Sequence, residues 1–189
     1  MDALEALTTR ASPKELGEPA PDDDALARML AAAVAAPDHG RLRPWRFIAV
    51  RGAARERLGE VLAESLRARD PAAPAPLIEK EAAKPLRAPL VLVAAAKLLA
   101  NHKIPVVEQI VAVGAAAQNL IVAAHALGFG ASWKTGAPAY DDRVKRALGL
   151  DAADRILGFL YLGTPKGGAA PLARPAPESC LVEWRGPLG

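Results

Sequence analysis

Cysteine occurs once in the 189 residues. A lone Cys180, near the C-terminus, excludes a disulfide framework, a Cys₄ metal site and a CxxC redox pair, and its presence is read as incidental. A chain this poor in cysteine suits a reducing compartment. Histidine occurs three times, at positions 39, 102 and 125, with no spacing of the HxxxH kind, so no metal site is expected. Aromatic residues make up only 4%, so the core has to be built from Ala, Leu and Val, and the three tryptophans stand out. Neither sign of charge dominates: the net charge is +3 and the basic residues are dispersed. No basic run carries the interleaved aromatics that track nucleic acid, and anionic small ligands are favoured only weakly. A GxSxG elbow and a GxxxxGK phosphate loop are missing. Gly128-Phe129-Gly130 starts like GxGxxG, but Trp133 holds the last position and the segment follows a helical pattern instead of a strand. Met1-Asp2-Ala3-Leu4-Glu5 has neither the basic nor the long apolar region of a signal peptide. The most apolar stretch, residues 106–127, carries Glu108, Gln109, Gln118, Asn119 and His125. It is expected as a buried helix of a cytoplasmic protein and not as a bilayer span.

What is present is an ordinary globular balance, 51% hydrophobic and 24% charged, at a length that suits one domain over residues 1–189. Asp2 can cap a first helix with Leu4 and Leu7 as its apolar positions, ending before Pro13. Residues 13–21 read as irregular. Asp22 or Asp24 can cap a second helix, whose Leu26, Met29, Leu30, Ala33 and Val34 follow the helical stripe. The acidic triplet 22–24 suits a helix N-terminus and is not a metal cluster. Residues 45–50 read as a strand ended by Gly52. A helix with Leu58, Val61, Leu62 and Leu66 on one side follows, then a proline-broken linker and a short helix over 77–83. Residues 89–96 are apolar throughout, as in a strand buried on both faces. Pro105 can start the long helix, with Gly128 and Gly130 as C-cap residues. Short strands are expected over 131–135 and 155–162, separated by a helix that Asp141 or Asp142 caps and Gly149 ends. Residues 163–189 read as an arm. Strands separated by helices argue for a mixed β-sheet flanked by helices.

Three places carry candidate chemistry. Arg10 and Ser12 put a guanidinium fork and a hydroxyl within one turn, which suits a phosphate dianion; a solvated arginine beside a turn serine is the other reading. Trp133, Lys134 and Thr135 put an aromatic, a cation and a hydroxyl on one extended segment, suited to a flat anionic ligand. Alternation on a strand would instead give a core tryptophan and an exposed lysine. His39, in an Asp-His-Gly turn, is either a ligand contact or a loop residue bonded to backbone.

Together these segments resemble the small nitroreductases. The resemblance runs along nearly the whole chain. It rests on the opening Met-Asp-Ala-Leu-Glu-Ala-Leu, the Arg10-Ala11-Ser12 turn, Ala36-Pro37-Asp38-His39, Pro44-Trp45, Arg87-Ala88-Pro89-Leu90, Asn101-His102-Lys103, Gly128-Phe129-Gly130, Trp133-Lys134-Thr135, and residues 158–165. It implies an α+β, nitroreductase-like fold with a C-terminal arm. It also implies FMN as cofactor, NADH or NADPH as electron donor, and a homodimer with FMN at the interface. The acceptor would be a nitroaromatic, a quinone or a related small molecule. It assigns Arg10, Ser12, Trp133, Lys134 and Thr135 to FMN, with His39 arriving from the other subunit and Arg174 of the tail as a further phosphate contact. No side chain is assigned as catalytic. The alternative on the same fold is a non-enzymatic FMN-binding or sensor protein. Ala11 stands where the family has a second arginine and Lys134 where arginine is common; Arg41 or Arg43 are candidates to compensate.

Overall fold

The computed structural model describes residues 1–167 and 173–186. Its elements, in chain order, are α1 (Ala3–Thr9), β1 (Leu16–Gly17), α2 (Asp23–Val34), β2 (Trp45–Arg51), α3 (Ala54–Arg69), α4 (Ala75–Ala82), β3 (Leu90–Ala96), α5 (Val106–Ala126), β4 (Gly130–Lys134), α6 (Asp142–Ala147) and β5 (Arg155–Pro165). Three helices start on aspartates whose side chains take an otherwise unpaired N–H. Asp2 accepts from Glu5, Asp22 from Ala25 and Asp141 from Arg143, each at 2.8 Å.

β3 sits at the centre because it is apolar at every position and buried at every position. Its side chains alternate between two cores. Leu90, Leu92 and Ala94 face α2 and α5, with Leu160 and Leu162 of β5. Val91, Val93 and Ala95 face the α3 side, with Phe159 and Tyr161. β2 and β5 flank β3, and β4 and β1 pair with β5. Trp45 lies opposite Ala96, Leu90 opposite Leu162, Lys134 opposite Phe159 and Gly17 opposite Thr164. All four pairings among the described residues are antiparallel. The α+β class therefore holds, and the unbroken apolar run of β3 reports helices on both faces, whatever the strand directions.

Other expectations are corrected. The stretch 13–21 contains β1, too short to show a periodicity and made by its pairing with β5. β5 runs on to Pro165, so the arm begins later than residue 163, and part of it lies outside the described residues. Gly130 is a strand residue opposite Gly163; the capping role falls to Gly128 alone. In α1 the buried residue is Ala6, while Leu4 and Leu7 point outward. α5 is long and apolar enough to cross a membrane. Yet it packs inside the fold, and its buried Gln109 bonds the Leu99 N–H, the Leu99 carbonyl and the Ile104 carbonyl. One of its faces is uncovered: Val107 and Val111 are 63% and 64% exposed.

Candidate active site

α5 is a ruler with a cluster of candidate residues at either end. At its C-terminal end, α1 runs out at Arg10, and Thr9 Oγ1 meets His125 Nε2 at 3.0 Å. The Arg10 guanidinium then lies 3.4 Å from the Ser12 hydroxyl. Arg174 of the arm reaches the same turn, donating to the Arg10 carbonyl at 2.6 Å. β4 is tied alongside: the buried Ser132 donates its hydroxyl to the Pro13 carbonyl at 2.8 Å. Lys134 shares the Ser132 face of the strand and is exposed, as is Thr135 just beyond it. The three segments that carry Arg10, Ser12, Arg174, Lys134 and Thr135 therefore converge.

Trp133 faces the other way, half-buried against the α2 and α5 core. Its indole N–H donates to the Leu157 carbonyl at 3.0 Å. Leu157 is the extra residue of a bulge in β5, between the pairs Ala94–Gly158 and Ala95–Ile156. Gly158 makes the seat possible, since a Cβ there would collide with the indole nitrogen. Trp133 thus fixes β4 on β5, and Lys134 and Thr135 are the outward members of the triplet.

His39 is elsewhere. It lies in a short 3₁₀ turn, His39–Arg41, beside the N-terminal end of α5. Its Nδ1 meets Glu108 Oε2 at 2.5 Å. Glu108 and His125 mark the two ends of α5, about 25 Å apart at the α-helical rise per residue. One chain therefore cannot bring His39 to Arg10. Arg41 and Arg43 belong to this same loop, so neither compensates for Ala11 within one chain. Both are in the left-handed region, at φ 54° and 51°, next to Gly40 at 73°. Such strain in bulky residues persists only where surroundings hold it, and it clusters at functional sites. Here Asp38 Oδ2 accepts the Arg43 N–H at 2.6 Å, and Gly40 sits so close to Ile104 that a Cβ would clash.

Glu108 is the residue that sequence reasoning missed. It was legible only as a polar residue in an apolar helix, because its partner is far away in sequence. Cys180 is exposed in the 3₁₀ turn Pro177–Cys180, its thiol donating to the Pro177 carbonyl. Among the described residues no group of His, Cys, Asp and Glu could hold a metal. An apolar groove of about 440 Å³ lies between α1, α2 and α5, lined by Met1, Ala6, Leu7, Ala35, Val122 and Ala126.

A helix-flanked antiparallel sheet defines the chain as an α+β protein. The chain belongs to the nitroreductase family, an oxidoreductase family, whose model matches residues 7–164. It is 42% identical over 166 residues to "Putative NAD(P)H nitroreductase YdjA" of Escherichia coli strain K12, covering 88% of this chain and 90% of that one. Among solved structures, a nitroreductase-like family protein from Bacillus cereus superposes with a TM-score of 0.82 at 23% identity, covering 98% of this chain and 97% of that one. An FMN- and NADPH-dependent nitroreductase NfnB variant from sphigopyxis sp. strain HMH gives 0.78 at 19% identity, covering 98% and 100%. Both show the nitroreductase-like fold.

Proposed function

We propose that the chain is a single-domain, cytoplasmic, FMN-dependent NAD(P)H oxidoreductase that reduces nitroaromatics, quinones or related acceptors. The observation that carries this is the convergence of Arg10, Ser12 and Arg174 at one end of α5, with β4 tied to the same turn through Ser132, two residues before Lys134. A guanidinium fork, a hydroxyl and further cations are the donor set that a phosphate monoester and an electron-rich ring system call for. Arg10 and Ser12 would hold the phosphate, with Arg174 steadying the turn through the Arg10 carbonyl. Lys134 and Thr135 would meet the ring system, while Trp133 keeps β4 in place. FMN, when bound, supplies the chemistry, taking a hydride from NAD(P)H and passing reducing equivalents to an acceptor. The chain binds, orients and shields; no side chain serves as nucleophile.

The site is proposed to be completed by a second copy. Three observations support a homodimer. His39 is held too far from Arg10 to serve the same ligand in one chain. Met1 and Leu7 are exposed in the groove between α1, α2 and α5, and Leu4 of α1 and Val107 and Val111 of α5 are exposed outside it. The arm from 173 to 185 is exposed throughout and carries Leu181, Val182 and Trp184. A partner would bury all of this apolar surface, at about 25 cal/mol for each Å² removed from water.

The test is a purified protein mixed with FMN and then with NADH or NADPH. Bound-flavin absorbance, followed by NAD(P)H oxidation that an added quinone or nitroaromatic accelerates, supports the enzyme. Flavin binding without turnover supports the sensor alternative, and absence of flavin binding at micromolar concentration overturns both.

A further inference from the structure

We propose that Glu108 is a positioning residue that aims His39 at the flavin site of the partner subunit; this rests on the two-chain flavin reading above. The His39 ring is 69% exposed and the Glu108 side chain 43% exposed, so their contact contributes little to folding. What it fixes is direction. Nδ1 is committed to Glu108 Oε2, which leaves Nε2 as the ring atom free for a ligand. A carboxylate that holds one imidazole nitrogen to present the other is a recurring way to set the ring's orientation.

The surroundings match that role. The backbone of the His39 loop is held on both sides, by Asp38 on the Arg43 N–H and by Gly40 against Ile104. Ile104 in turn is fixed through its carbonyl by the buried Gln109, the neighbour of Glu108. Backbone anchors alone leave the imidazole free to rotate about its side-chain torsions. Glu108, in the first turn of α5, is the group that stops it. A carboxylate at that position is also favoured by the helix dipole. The dipole does not require Oε2 to be directed at an imidazole.

The experiment measures the FMN dissociation constant of the apo-protein by flavin fluorescence for wild type, His39→Ala, Glu108→Ala, Glu108→Gln and the double alanine variant, with circular dichroism checking folding. Glu108→Ala should weaken FMN about fivefold, the scale of one net hydrogen bond. Glu108→Gln, whose amide oxygen still accepts from Nδ1, should stay within about twofold of wild type. In the His39→Ala background, Glu108→Ala should add nothing. A Glu108→Ala variant that binds like wild type, or that adds its full factor without His39, overturns the proposal and leaves the flavin reading intact. A Glu108→Gln variant as weak as Glu108→Ala does the same, because charge and not direction would then be at work. An unchanged constant in His39→Ala overturns the two-chain reading, and the proposal with it.

Discussion

The two ends of α5 make opposite use of the chain. At the C-terminal end, Arg10 and Arg174 come from separate segments, the first half-buried and the second exposed, and β4, seated on the bulge of β5, is tied beside them. At the N-terminal end, one short loop is bent into left-handed conformations and its single imidazole is clasped by a carboxylate. The first end gathers cations around a turn whose neighbouring imidazole, His125, is engaged by Thr9; the second holds its imidazole against a carboxylate. About 25 Å of helix separates them. In the proposed site one half comes from each end, and the exposed Val107 and Val111 of α5 are surface through which a second copy would unite them.

The largest effect should come from breaking the face that joins the ends. Val111→Lys places a charge in the proposed interface, and burying it unpaired would cost several kcal/mol. Sedimentation should show a monomer, and flavin affinity should fall by at least about a hundredfold by linkage. A dimer with unchanged flavin affinity would separate the apolar face from the site.

Attacking one end comes next. Arg10→Ala should weaken FMN by about 1.5–3 kcal/mol, the scale of a hydrogen bond to a charged group. Riboflavin, which has no phosphate, should bind wild type and variant almost equally. If riboflavin weakens as much as FMN in equilibrium titrations, Arg10 supports the turn and not the phosphate.

The smallest effect lies away from both ends, where α6 meets α3. Burial pushes the Asp141 carboxyl up, but the Ser65 hydroxyl, the Arg143 N–H and the charges of Arg143 and Arg69 together outweigh it, and the net result is below the ordinary value of 3.8. The Ser65 contact is 2.5 Å. Since the folded state binds this proton less readily than the unfolded one, the contribution is complete above pH 3.8 and is lost as pH falls through the lower folded value. Asp141→Asn should therefore remove about 1 kcal/mol at neutral pH and progressively less at acid pH, read by urea titration at several pH values. An equal loss at all pH values would make the residue a cap alone.

Much of the frame was legible in the sequence because its causes are local. The aspartate caps at positions 2, 22 and 141, the stripe of α2 and the apolar run of β3 announce themselves within a few residues. β1 was not legible, since two residues have no period and their pairing is made by β5. Leu4 and Leu7 misled because a stripe tells which face is apolar and not whether the same chain covers it. The site divides in the same way. Arg10 and Ser12 are two positions apart in sequence and meet in space; Arg174 joins them only through the fold. The Glu108–His39 contact and the seat of Trp133 on the Leu157 carbonyl have no local signature at all. The resemblance to a family supplied the list of residues, and the geometry divided that list between two ends.

The most direct test of a site made from two chains is subunit mixing. Arg10→Ala homodimers have every C-terminal-end half broken, and His39→Ala homodimers have every N-terminal-end half broken. A heterodimer of the two contains one site with both halves intact and one with neither. After equilibration of an equal mixture, tight FMN binding should return at roughly a quarter of the sites, the share set by random pairing in a two-fold dimer. A mixture that binds FMN no better than the average of its two components would show that each chain holds its flavin alone, and would contradict the division of the site between the ends of α5.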